Sequence, residues 1–175
     1  NTISEKYLFR RGRDPDGGTL RLFSELGIRM NCRFMYEMTL DSVRNLKRGK
    51  MTFAAGDDEE TRKTVRLVES RTGIVAEKMT LPVGLRSYKE FHEVVGRAFG
   101  IEDAAGEVCL RGERRYLSET ERLRKKLEGK RVIIENRFTA DMDWLLELLS
   151  DLGIEVIKIG MGPRHEWKEH PESRY

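Results

Sequence analysis

The side chains able to do chemistry are few and scattered: Cys32 and Cys109, three histidines, the acidic pair in Gly56-Asp57-Asp58, and Arg33, Arg86 and Arg137. A thiolate is a metal ligand or a nucleophile, and Cys32 follows Ile28-Arg29-Met30-Asn31, which reads as a short strand. Open α/β sheets bind ligands outside the carboxyl ends of their strands, so a thiol placed there can touch a cluster or a substrate. The competing reading is a buried structural thiol, because free cysteine is among the most buried residue types. Cys109 lies in a charged stretch and reads as structural. Two cysteines this far apart give neither a disulfide framework nor a close-spaced metal-ligand pair.

Gly56-Asp57-Asp58 leads into a helix N-terminus, where backbone amides favour anions, yet Asp57 and Asp58 already supply negative charge and capping is the stronger reading. It is not a phosphate-binding P-loop, since no Gly-Lys-Ser/Thr is present, and Gly17-Gly18 lacks the Gly-x-Gly-x-x-Gly spacing of a dinucleotide loop. Arg33, Arg86 and Arg137 each fall just past an expected strand end or in the following turn. A guanidinium there can meet a substrate carboxylate or the negative charge of a cluster. With Cys32, Gly56 and Asp57 they make up the candidate substrate or cofactor pocket. His165 and His170 are spaced so that they do not share a helix face, and a solvated polar tail is the better reading than a metal site. His92 falls in an amphipathic stretch, where a partly buried structural imidazole is the default.

The elements that must position these groups are announced by a repeated unit. Ser24-Glu25-Leu26-Gly27-Ile28 has the same sense as Ser150-Asp151-Leu152-Gly153-Ile154, and Arg71-Thr72-Gly73-Ile74 echoes both. Each follows an amphipathic run and precedes an apolar, β-branched stretch, so the unit is helix, glycine stop, strand. Repeated, it predicts an α/β fold, a Rossmann-like parallel sheet with helices on both faces and right-handed crossovers. Strands are expected near residues 1–3, 28–31, 51–55 and 74–79, with helices ending at about Leu26, at Gly49, at Thr72 and at Phe99. Asp16 or Thr19 is the expected cap of the first helix. Val43 and Leu46 of the second, and Val65, Leu67 and Val68 of the third, form the expected inward faces. The highly charged segment from Asp103 to Glu128 reads as one long bridging helix, after which Lys130 to Glu135 and Ile154 to Ile159 flank a crossover helix from Asp143 to Leu152. The expected organisation is a Rossmann-like domain over 1–106, a bridging helix over 107–129 and, over 130–175, the start of a second, truncated Rossmann-like domain.

Of 175 residues, 33 are basic and 30 acidic, so the net charge of +3 provides no global field of the kind that marks a dedicated nucleic-acid binder. No apolar run approaches the ~18 residues of a membrane span, and Asn1-Thr2-Ile3-Ser4 is not the start of a signal peptide. A cytoplasmic protein with neither nucleic acid nor membrane as partner is the expectation.

Five stretches, in order, resemble the larger catalytic component of nitrogenase and its relatives, a family that includes protochlorophyllide and chlorophyllide reductases, cofactor-assembly scaffolds and nickel-sirohydrochlorin reductase. They are Leu22 to Ile28, Leu81-Pro82-Val83-Gly84-Leu85 followed by Phe91, Arg111 to Arg114, Leu127 to Val132, and Leu148 to Val156. The resemblance implies three Rossmann-like domains around a metal centre, with this chain covering the middle domain and the start of the third. It also implies that the cysteines of the family's bridging iron-sulfur cluster lie mainly in the first domain. In the nitrogenase catalytic subunit a further cysteine in a middle-domain loop holds the active-site cofactor; here that loop reads Ala54-Ala55-Gly56-Asp57-Asp58, with no thiolate. The segment alone is therefore expected to bind no cofactor and to be inactive, an iron-sulfur cluster or metallocofactor belonging only to the complete family-type complex. What the resemblance implies is an oxidoreductase component that receives electrons from an ATP-dependent iron-sulfur reductase, assembles with a homologous subunit as a homo- or hetero-oligomer, and reduces a substrate at a metallocofactor or tetrapyrrole site. The alternative, carried by fold alone, is a non-catalytic Rossmann-like module for a small ligand or nucleotide-sugar.

Overall fold

Short strands separated by amphipathic helices assemble here into two parallel sheets. The computed structural model describes residues 2–3, 18–34, 39–54, 59–78, 82–136 and 142–161. Strands β1 (Thr2–Ile3), β2 (Arg33–Phe34), β3 (Thr52–Ala54) and β4 (Ala76–Lys78) form one sheet in the order β2-β1-β3-β4, with every neighbouring pair parallel. Parallel neighbours require crossover connections. These carry α1 (Gly18–Glu25), α2 (Leu40–Arg44) with a 3-10 turn at Leu46–Arg48, and α3 (Glu59–Thr72). Then come α4 (Leu85–Phe99), α5 (Glu102–Leu127), and a further parallel unit of β5 (Arg131–Asn136), α6 (Asp143–Asp151) and β6 (Glu155–Met161). By its internal contacts the chain divides into two compact units, residues 1–82 with 88–109 and residues 83–87 with 110–175.

The core of the first unit is aromatic. Phe23 of α1, Phe53 of β3 and Phe91 of α4 are almost fully buried, and the Phe23 ring meets Phe91 edge-on at 5.3 Å and Phe53 at 5.8 Å. Leu26, Val95, Ala105 and Val108 complete the cluster. The helix-glycine-strand unit has the expected mechanism: Gly27 adopts φ +70°, its N–H donates to the Ser24 carbonyl at 2.9 Å, and the Ile28 N–H reaches back to the Phe23 carbonyl at 2.8 Å. This paired arrangement satisfies carbonyls that the end of α1 would otherwise leave open. Gly153 and Ile154 make the same two bonds to Ser150 and Leu149 at the end of α6.

Several expectations shift in detail. The second strand lies at Arg33–Phe34, not at residues 28–31. Ile28 and Met30 instead pack against the aromatic core, so the chain reaches the sheet's pairing register only after Cys32. Thr19 is a buried residue inside α1 rather than its cap, and Asp16 lies outside the described residues. Thr39 caps α2 reciprocally with Ser42, but Val43 is 38% exposed and only Leu46 turns inward. On α3 the covered face is Thr61, Val65 and Val68, spaced i, i+4, i+7, while Leu67 stands 53% exposed.

In the second unit Leu146 of α6 is buried, as are Met142 and Leu152 at the two ends of the helix, and α6 packs on β6. Val132 and Ile134 of β5 are half-buried between exposed neighbours, the alternation expected of a strand with one covered face. Pairing runs Val132 to Val156, then Ile133 to Lys158 and Ile134 to Ile159, so Ile157 is an extra residue and β6 is bulged there. The strand continues through Gly160 and Met161, two residues beyond its expected end.

Candidate functional site

A ligand crevice in an open parallel sheet forms where neighbouring connections leave in opposite directions. In the order β2-β1-β3-β4 that point is between β1 and β3, at the ends marked by Ile3 and Ala54. Gly56 and Asp57, which follow β3 in the chain, lie outside the described residues, as do Arg137, His165 and His170.

Cys32 and Arg33 are described, and their placement corrects the sequence argument. With β2 at Arg33–Phe34, Cys32 precedes the strand and Arg33 is its first residue, paired with Thr2 of β1. Neither stands past a carboxyl end, which was the reason for placing them in a pocket. Cys32 is 3% exposed, and burial pushes its thiol above the ordinary range while a hydrogen bond with Ser42 pulls the other way. Such a thiol is mostly protonated at neutral pH, a poor state for a ligand or nucleophile. Arg33 is buried too. Cys109 is partly exposed on α5.

Arg86 belongs to the second unit and reaches two carboxylates of α6. Its Nη2 lies 3.3 Å from Asp143 Oδ2 and its Nε 3.5 Å from Glu147 Oε1. The Asp143 side chain is nearly buried and Arg86 about one-third exposed, so this ion pair is partly desolvated and ties the first turn of α4 to the first turn of α6. Beside it, Gly84 approaches the Trp144 backbone and Cβ closely. The arginine thus has a structural use that sequence spacing did not reveal, because its partners Asp143 and Glu147 lie far along the chain, on α6.

Tyr116 escaped the sequence reading, and His92 entered it only as a partly buried structural imidazole. The Tyr116 hydroxyl donates to Asp151 Oδ2 at 2.6 Å, joining α5 to the end of α6. Burial, and then the neighbouring carboxylates of Asp151 and Glu147, raise its ionisation far above the usual tyrosine range. His92 is 2% exposed, and its Nδ1 lies 2.7 Å from the Tyr88 carbonyl. Neither has a motif, and the Tyr116 contact is visible only once helices are packed. Among the described residues, no three His, Cys, Asp or Glu side chains gather where they could hold a metal ion. A buried, protonated Cys32 is a poor cluster ligand, and none of the chemistry below is routed through either thiol.

Residues 18–173 match the family model for nitrogenase component 1 type oxidoreductases. The chain belongs to this family. Over 146 residues it is 27% identical to the nitrogenase molybdenum-iron protein alpha chain of Methanothermobacter thermautotrophicus, an alignment covering 83% of this chain and 31% of that one. Its fold is similar to solved structures of nitrogenase Cp1. The structure at pH 6.5 superposes with a TM-score of 0.69 at 16% identity, over 94% of this chain and 31% of that one. The structure at pH 5 gives 0.68 at 15% identity, over 99% of this chain and 35% of that one. The chain thus spans about a third of the length of these nitrogenase component 1 relatives.

Proposed function

We propose that the chain is one α/β segment of a nitrogenase-like oxidoreductase component. In this reading the complete component takes electrons from an ATP-dependent iron-sulfur reductase, assembles with a homologous subunit, and reduces its substrate at a metallocofactor or tetrapyrrole site in the cytoplasm. The observation that carries it is the family match across residues 18–173. The segment contributes scaffold and pocket wall: the switch-point end of the first sheet faces the bound group, and thiolate ligands come from elsewhere in the assembly. The described thiol Cys32 supports that division of labour, since it is buried and protonated. No described helix is long and apolar enough to cross a membrane.

The test is reconstitution under anaerobic conditions. A polypeptide of family length containing this segment, combined with its homologous subunit, an ATP-dependent reductase and a low-potential donor, is expected to oxidise the reductase in step with ATP hydrolysis, and the 175-residue chain alone is not. Iron measured on both should be stoichiometric only in the assembly. Electron uptake by neither, together with tight nucleotide-sugar binding by the segment, would replace this reading with a non-catalytic ligand-binding module.

A further inference from the structure

We propose that His92 makes the packing of α4 in the first unit proton-sensitive, the neutral imidazole locking the helix into the aromatic core and its protonated form releasing it. The ring is 2% exposed, lies tilted against Tyr88 at 4.3 Å between centroids and meets Phe91 edge-on at 5.2 Å. Phe91 in turn touches Phe23, so the imidazole is continuous with the centre of the core. A carbonyl only accepts, so the 2.7 Å contact with the Tyr88 oxygen fixes Nδ1 as the protonated nitrogen. Nε2 then carries a lone pair, and it is the buried side-chain polar atom among the described residues that has no hydrogen-bond partner.

An imidazolium in this place would put an N–H on Nε2 with no acceptor and a positive charge among aromatic rings away from water. Both are costly, and moving the ring out to solvent relieves both. Of the groups that act on the ring, Glu25 at the end of α1 favours the charged form, while Tyr88 and Phe91 beside it are uncharged; Ala105 and Val108, which α5 contributes to the adjoining core cluster, carry no charge. Burial outweighs the Tyr88 carbonyl and Glu25, so the ionisation of His92 is lowered from the ordinary histidine value. The sign follows from linkage. A lowered value in the folded state means that the unfolded chain binds the extra proton first, so stability is full above the ordinary histidine value of about 6.5 and is lost as pH falls below it. One proton corresponds to at most about a tenfold loss in the folding constant per pH unit, down to the folded-state value.

The experiment takes the whole chain with His165→Gln and His170→Gln, leaving His92 as its histidine, and follows the imidazole carbon-bound proton by NMR between pH 8 and pH 4.5. Urea unfolding is measured in parallel at pH 7.5 and pH 5.5. The expected result is an imidazole that stays neutral below pH 6 while folded, and a folding constant that falls several-fold more in this chain than in one also carrying His92→Gln. A His92 signal titrating at or above the ordinary value overturns the proposal, and this holds whether or not the His92 variant folds. Equal pH dependence in the two chains overturns it as well.

Discussion

Gly84→Ala separates two costs that a glycine substitution usually mixes. Gly84 has φ +83°, and a Cβ added there would stand 2.9 Å from Trp144 Cβ and 3.4 Å from its Cα. Gly27 has φ +70° with nothing within 4 Å of the added atom. Forcing an L side chain into left-handed backbone costs about 1–2 kcal/mol at either position. Overpacking against Trp144 adds about 1–3 kcal/mol at Gly84 alone, because the obstructing atoms belong to the start of a side chain and to backbone, which cannot swing aside. Gly84→Ala should therefore destabilise by about 2–5 kcal/mol and Gly27→Ala by about 1–2 kcal/mol. Equilibrium urea unfolding by far-UV circular dichroism compares the two. A Trp167→Phe background, which leaves Trp144 the sole tryptophan of the 2 in the chain, gives a local readout for Gly84→Ala. Equal costs would refute the close packing of residues 83–87 on α6, and no cost at either would refute the left-handed conformation itself.

Arg86→Met removes both ion pairs to α6 and should cost about 1–2 kcal/mol, above an exposed pair and below a fully buried one; a loss under a few tenths in the same unfolding assay would show that the contacts carry no weight. Tyr116 should stay un-ionised in an absorbance titration at 295 nm while ordinary tyrosines titrate near pH 10. Because its ionisation is raised in the folded state, its contribution is intact below the ordinary tyrosine value and declines above it, and a Tyr116→Phe chain should lose that alkaline decline. Under native conditions a thiol reagent should modify Cys109 well before Cys32, with both reacting in denaturant; equal native rates would place Cys32 at the surface and revive it as a ligand candidate.

Local chemistry was the legible part of the fold. The bounds of α3 are those expected from Asp58 before it and Gly73 after it, and the matching glycine junctions at Gly27 and Gly153 do what their neighbours suggest. Burial was read less well. A count of apolar residues picked Leu67 over Thr61, whereas the helical period puts Thr61, Val65 and Val68 on one face. Ile28 to Asn31 looked like a strand because its apolar alternation is the same whether it pairs in a sheet or tucks against a helix. The candidate site suffered most from this, since moving β2 past Cys32 reverses which end of the strand the thiol occupies. Arg86 was legible as a cation near a turn but not as a clamp, because Asp143 and Glu147 reach it only through tertiary folding.

A bulged strand holds one residue of slack. Val132 and Ile134, two apart on β5, face Val156 and Ile159, three apart on β6, and Ile157 absorbs the mismatch while standing 48% exposed. A chain lacking Ile157 would bring Val156 and Ile159 into regular two-residue spacing on the same covered face, whereas the loss of Ile133 from β5 would bring its neighbours together and turn one of them outward. The two strands of this sheet are therefore unequal in how their lengths can drift: β6 can shed a residue and still present the same apolar pair to α6, and β5 cannot.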